Sequence, residues 1–364
     1  MSDTGGSEVP RSITTELACL RMTTGTSTPQ RGEWLLALTR ISSVRFTAFY
    51  FAAFYTALVA TGRHGVTWAA FSWALWLVNC VGIELTNRYA DQVEDATNRP
   101  ERTALCRLVG YATIRAVAVW LYVIMLLGYV LWFSLARKVD LFLVQMLAWL
   151  IGWNYSVGLR FKARRYGVLV VLSGTFVLPF LFGWTVAGSL RDVPLSILSV
   201  PVFVASLAGV KDITDEEGDA RRGYRSAFLA IARRRSGRML LALLSSPYVF
   251  IATLCLLGAA PARFLLLLGF APLSFLFAIL VRGARGAAEA GSVREWMYHF
   301  WFLFLSATLL LIHPTLHVAG ALGSAAAFWI FATRRLHWAV GLRRDQAVDV
   351  LRILLRAMAA ERIE

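Results

Sequence analysis

The chain has 364 residues, of which 58% are hydrophobic and only 16% charged, with a mean hydropathy of +0.60. That composition excludes a soluble domain and defines an integral membrane protein, whose backbone in lipid has to be helical or barrel-like. A net charge of +15 is compatible with a nucleic-acid partner by magnitude, but its distribution along the chain excludes one.

Residues 1–32 are polar and rich in Ser, Thr and Gly, without the apolar stretch of a signal peptide, and read as a disordered tail. Apolar runs long enough to cross a bilayer follow at about 43–61, 66–86, 108–134, 139–157, 166–188, 195–210, 239–259, 262–281, 297–313 and 315–333. They predict an all-α polytopic protein of nine transmembrane helices, or ten if the last run also spans, within a transmembrane unit at 33–333. The segment 334–364 reads as a C-terminal tail. Val348, Leu351, Leu355 and Met358 fall near one helical face in it, as in an amphipathic helix lying at a membrane interface.

Threading the spans alternately from a cytoplasmic N-terminus leaves only Arg63, Arg137, Lys138, Arg191 and Arg263 in the outer loops. The inner loops collect the arginine-rich segments at 99–107, 160–165, 221–238, 282–294 and 334–344. This positive-inside asymmetry orients the chain and explains its charge without nucleic acid. Cys19, Cys80, Cys106 and Cys255 are scattered, with neither metal spacing nor a disulfide framework.

Two acidic segments follow even-numbered spans and so face the cytoplasm. The first is Asn87-x3-Asp91-x3-Asp95, and the second is Asp212-x2-Asp215-x3-Asp219. Steps of three and four residues return to one face of a helix, so each segment stacks carboxylates in one direction. Such oxygens suit Mg²⁺, a hard ion held by one or two carboxylates together with substrate phosphates. An Asp facing lipid at the centre of a helix costs about 2.5–3.5 kcal/mol, and five would cost on the order of 10 kcal/mol. The two segments therefore belong at a hydrated, protected cavity, which a bundle forms when it brings them face to face. Lys211, one of three lysines among 37 basic residues, directly precedes Asp212. Arg102, Arg160, Lys162 and Arg225 are further cations for diphosphate oxygens. Trp73, Trp76, Trp149, Trp153, Tyr155, Phe176 and Phe180 lie in spans near these motifs, and aromatic faces attract cations.

The ordered set resembles the signatures of the UbiA superfamily of intramembrane prenyltransferases. The resemblance rests on Asn87-x3-Asp91-x3-Asp95 with Asn98-Arg99-Pro100-Glu101-Arg102, on Tyr155-Ser156-x3-Arg160-x-Lys162, and on Lys211-Asp212-x2-Asp215-x2-Gly218-Asp219-x3-Gly223-x-Arg225-Ser226. It covers about 40–312. Arg88 stands where Asp is frequent in the family, Thr103 and Gly158 where Pro is. The resemblance implies nine helices around a central cavity and Mg²⁺ held by Asn87, Asp91, Asp95, Asp212, Asp215 and Asp219. Asp91, Asp95, Asp212, Asp215 and Lys211 would be catalytic, and Arg102, Tyr155, Arg160, Lys162 and Arg225 would bind the diphosphate. The implied reaction transfers an isoprenyl group from an allylic diphosphate to a small acceptor, an aromatic one first. Ionisation gives a carbocation, the metal ions take up the diphosphate charge, and the acceptor captures the cation. The partners are then an isoprenyl diphosphate, a small-molecule acceptor and membrane lipid, with a bacterial cell membrane as the expected location. The same motifs fit a membrane terpene cyclase, in which the cation is quenched by its own double bonds. A transporter would need carboxylates deep in the spans, and the runs at 108–134 and 239–259 have none.

Overall fold

Apolar runs bounded by Gly, Pro and charged residues become helices because lipid offers backbone groups no hydrogen-bond partner. The computed structural model describes residues 31–164, 167–216, 227–233, 237–337 and 344–360, and no strand occurs among the described residues. In chain order the helices are α1 (Arg31–Ile41), α2 (Thr47–Ala60), α3 (Val66–Ala90), α4 (Gln92–Asn98), α5 (Pro100–Val109), α6 (Tyr111–Ala136), α7 (Val139–Ser156) and α8 (Gly167–Ala187). They continue as α9 (Ser199–Leu207), α10 (Ala227–Arg233), α11 (Gly237–Leu256), α12 (Ala271–Gly283), α13 (Gly286–Ile312), α14 (Leu316–Arg335) and α15 (Arg344–Ala360). A 3₁₀ segment, Ala208–Thr214, prolongs α9, and another, Ala262–Phe270, leads into α12.

Among the described residues eight helical stretches are long and apolar enough to cross a membrane. The pair Arg31–Ile41 and Val44–Ala60, bent by 55°, raises the number to nine. α7, 18 residues long, carries Asp140 and Gln145 and packs beside α6 and α8, where the sequence predicts another span. The protein is thus an integral, multi-pass helical bundle, and the run at 315–333 is one of its apolar helices. The loop expected at 282–296 is mostly helix, because α13 starts at Gly286. Hydropathy missed those turns because Glu289, Ser292, Arg294 and Glu295 are polar yet buried. The tail expected up to residue 32 gives way to α1 at Arg31, and residues 1–30 lie outside the described residues.

α2 sits at the centre, with every residue from Thr47 to Val59 buried except Tyr50. It packs on α8, α14 and α3. A Cβ on Gly183 of α8 would stand 2.2 Å from the Phe54 carbonyl oxygen, so these two backbones touch, as small residues allow between helices in lipid. Edge-on ring pairs join α2 to its neighbours: Phe49 meets Phe176, Phe302 and Trp329, and Phe54 meets Phe182. Each such pair contributes about 0.5–1.5 kcal/mol beyond its area. At the start of α2, Arg45 is buried with its guanidinium 4.9–5.3 Å from the rings of Phe46, Tyr298 and Trp329. It donates to Glu295 of α13 at 2.5 and 3.2 Å. Breaking one member of such a buried pair costs about 3–5 kcal/mol, so this contact fixes α13 and α14 against α2.

α15 docks on α12 and α13. Val350 and Ile353 are buried, and Ile353 presses so closely on Gly283 that a Cβ there would meet its methyl at 2.6 Å. Arg356 donates to both oxygens of Glu289 at 2.9 and 2.5 Å, and Ser292 donates to Asp349 at 2.9 Å. The row Val348, Leu351, Leu355 and Met358 stays exposed. The helix therefore has two used sides: one faces the bundle, and the apolar row read from the sequence faces outward.

Candidate active site

One face of α3 presents Trp76, Asn79, Ile83, Asn87 and Asp91 to a cavity of about 740 Å³. Backbone hydrogen bonds from Asp91 to Asn87, Asp95 to Asp91 and Arg99 to Asp95, at 2.8–2.9 Å, carry the helical ladder through the junction of α3 and α4. Side chains 87, 91, 95 and 99 consequently form one row. In the second acidic segment Asp212 lies on the 3₁₀ extension of α9 and Asp215 caps it, and residues three apart on such a helix eclipse one another. Both rows line the same cavity.

Its mouth is densely charged. Six carboxylates (Glu84, Asp91, Glu94, Asp95, Asp212, Asp215) and eight Lys or Arg side chains (Arg45, Arg88, Arg99, Arg102, Lys162, Arg164, Lys211, Arg294) line the walls. That positive excess favours an anionic ligand. Lys162 pairs with Asp91, Arg102 with Asp95, Arg99 with Asp215, and Lys211 with Asp212 at 3.0 Å. Arg294 donates to Thr214 Oγ1 at 2.8 Å and Arg99 to the same oxygen at 3.2 Å. Asn98 donates to the Asp215 carbonyl at 3.4 Å, so α4 and the second segment are stitched together. Ser156 donates to Asn87 Oδ1 at 2.7 Å and fixes that amide. Burial raises the Asp215 carboxyl, but Arg99, Lys211 and Arg294 outweigh it and hold the pKa at about 2. Burial, and then Arg88, pull the Arg102 guanidinium down against the attraction of Asp95. Away from the mouth the walls turn apolar and aromatic, with Trp76, Phe176, Leu172, Pro179 and Trp301.

Of the residues singled out in the sequence, Asn87, Asp91, Asp95, Arg102, Tyr155, Lys162, Lys211, Asp212 and Asp215 meet at this cavity. Arg160 does not line it. It occupies a left-handed turn (φ 49°) and lies half-exposed, 3.6 Å from Glu94. Asp219 and Arg225 lie outside the described residues. Trp76, Tyr155 and Phe176 are wall residues, whereas the other four aromatics pack elsewhere. Trp73 stacks on Phe51, Trp149 and Trp153 meet Tyr122 edge-on, and Phe180 stacks on Trp184. Sequence reasoning missed Glu84, Glu94, Arg99, Arg294, Tyr50 and Tyr298. Arg99 extends the four-residue row of the first segment, and Arg294, Tyr298 and Trp301 share one helical face, so spacing held the signal.

Among the described residues no three of His, Cys, Asp and Glu converge closely enough to hold a metal ion, because each acidic group leans on a base. The donor set nevertheless fits a hard cation. All its acidic donors are carboxylate oxygens, and the buried Asp95 Oδ2 accepts no hydrogen bond, with Arg88 Nη1 at 3.5 Å.

A cavity with an acid-and-base mouth and apolar walls, inside a membrane bundle, is the arrangement of an enzyme that holds a charged head and an apolar tail. The model of the UbiA prenyltransferase family matches residues 48–298, and the chain belongs to that family of prenyltransferases. Helix α14 and helix α15 lie beyond the match. A curated relative, the digeranylgeranylglyceryl phosphate synthase of Thermococcus gammatolerans, is 30% identical over 161 residues. The match takes in 44% of this chain and 55% of the relative, so the chain spans about half the length of that relative. Two solved structures share the fold. One, from work on digeranylgeranylglyceryl phosphate synthase in membranes, gives a TM-score of 0.53 at 18% identity, over 80% of this chain and 99% of that one. The other is a UbiA homolog from Archaeoglobus fulgidus bound to GPP and Mg²⁺, with a TM-score of 0.51 at 16% identity over 77% and 99%.

Proposed function

We propose that the chain transfers an isoprenyl group from an allylic isoprenyl diphosphate to a small acceptor inside the membrane, with Mg²⁺ at the two acidic segments. The observation that carries this reading is the meeting of Asp91, Asp95, Asp212 and Asp215 at the mouth of one cavity whose far walls are apolar. The A. fulgidus homolog bound to GPP and Mg²⁺ supports both the donor class and the cofactor. Asn87, Asp91, Asp95, Asp212 and Asp215 would hold the metal, with Asp219 as a further donor. Bound there, Mg²⁺ supplies Lewis-acid polarisation of the diphosphate and neutralises the charge of the leaving group.

The chain's own residues do the rest. Arg99, Arg102, Lys162, Lys211 and Arg294 offer cationic donors to diphosphate oxygens, and Arg225 and Arg160 are proposed to join them. Tyr155, at the end of α7, lines the wall beside Lys211. Trp76, Phe176 and Trp301 line the apolar part, where they exclude water and offer aromatic surface to developing positive charge. The proposed orientation puts the mouth at the cytoplasmic side, as the arginine-rich loops require.

The reading is tested by incubating membranes that contain the protein with C10–C25 allylic diphosphates and Mg²⁺, with and without aromatic and glycerol-phosphate acceptors. Identification of a prenylated acceptor supports it. A cyclic hydrocarbon formed without any acceptor assigns the protein as a cyclase instead.

A further inference from the structure

The reading above, on which this inference rests, gives no task to two carboxylates of the cavity, Glu84 and Glu94, and Glu94 is engaged by Arg160 and Lys162. Glu84 lies one turn of α3 below Asn87, about 4.5 Å further from the mouth, and lines the same cavity. Its Oε2 accepts from Arg88 Nη2, and its Oε1 accepts no hydrogen bond among the described residues. Three phenols gather around this level from three helices: Tyr50 of α2, Tyr155 of α7 and Tyr298 of α13 all line the cavity. Tyr50 and Tyr155 are within electrostatic reach of Glu84. Beyond it α3 presents Ile83, Asn79 and Trp76 to the cavity, with the Asn79 amide oxygen already held by Tyr129. Glu84 thus stands at the boundary between the charged mouth and the apolar tail pocket, where the bond joining diphosphate to prenyl carbon has to lie.

We propose that Glu84 is a catalytic carboxylate that faces the allylic cation and takes the proton released when the acceptor attacks. The carbon–oxygen bond to diphosphate breaks, and both electrons leave with the diphosphate. The nucleophilic atom of the acceptor gives an electron pair to the allylic carbon, and the positive charge passes to the acceptor. Its proton then passes to the Glu84 carboxylate and from there to water at the mouth.

The ion pair with Arg88 does not disqualify Glu84. A proton on a freshly alkylated, positively charged acceptor is so acidic that an ion-paired carboxylate accepts it, and position rather than basicity decides. A negative charge fixed beside a forming cation also stabilises that cation before any proton moves. The competing role, a counter-ion for Arg88 alone, predicts no dependence on charge in the ligand.

The experiment uses the full-length protein in nanodiscs. One pair of probes is uncleavable geranyl and geranylgeranyl thiolodiphosphate with Mg²⁺. The other is the corresponding prenyl ammonium analogues with inorganic diphosphate and Mg²⁺, which carry fixed positive charge where the cation forms. Glu84→Gln keeps the size of the side chain and an acceptor for Arg88 but removes the negative charge. The expected result is unchanged thiolodiphosphate binding and roughly 10²-fold weaker binding of the ammonium analogues, with Glu84→Asp recovering part of the loss. Equal losses for both probe types, or none for either, overturn the assignment. Wild-type protein that binds neither probe removes the prenyl-diphosphate reading itself, and this inference with it.

Discussion

Asp215 and Arg99 lie 116 positions apart in sequence and pair across the cavity mouth. The same carboxylate is held at a pKa of about 2 because Arg99, Lys211 and Arg294 outweigh its burial, so it stays ionised at any ordinary pH. Asp91→Ala or Asp215→Ala is expected to lower diphosphate release by roughly 10²–10³-fold while size-exclusion profile and helical content remain those of wild type; turnover at the wild-type rate sinks the metal assignment. Ser156 tests a subtler role. Its hydroxyl orients Asn87, and Ser156→Ala is expected to raise the Mg²⁺ concentration for half-maximal activity by about 10–100-fold, with little change at saturating metal. The sequence made the rows legible because steps of four are visible in Asn87, Asp91 and Asp95. It hid Arg294, since a positive residue beside a span already has an explanation in orientation. No spacing rule reveals the left-handed turn of Arg160, which keeps that residue out of the cavity lining.

At the scale of elements, hydropathy found the helices that face lipid and lost the turns that face each other. The start of α13 shows why. Its buried polar residues are matched by partners on the 3₁₀ extension of α9, on the segment leading into α2 and on α15, and hydropathy counts them as solvent-exposed. The α2–α8 contact is the opposite case, for its tightness depends on one Gly. Gly183→Val places new carbon against the Phe54 carbonyl, and a loss of about 1–3 kcal/mol should lower the Tm of the detergent-solubilised protein by several degrees. A Tm equal to wild type contradicts the close approach. α15 is held by Arg356, Asp349 and Ile353, and Arg356→Ala removes the partner of Glu289. Faster tryptic release of the segment after residue 343 is the expected result, and unchanged cleavage kinetics mean that Ile353 packing alone retains the helix.

The whole molecule joins two demands that conflict in water-free surroundings. A diphosphate needs concentrated charge, and a prenyl chain needs apolar walls. The bundle meets both in one cavity, lined by acids and bases and by apolar and aromatic residues. Family membership through residue 298 was legible in the ordered motifs, whereas the acceptor was not, because the apolar and aromatic wall residues come from several helices with no shared spacing. The central claim is that the two acidic segments act as one metal-dependent diphosphate site. Its most direct measurement is diphosphate release from C10–C25 allylic diphosphates by the reconstituted protein in Mg²⁺, after EDTA, and after Mg²⁺ is restored. The account predicts release that stops with chelation and returns with the metal. Release indifferent to EDTA contradicts it.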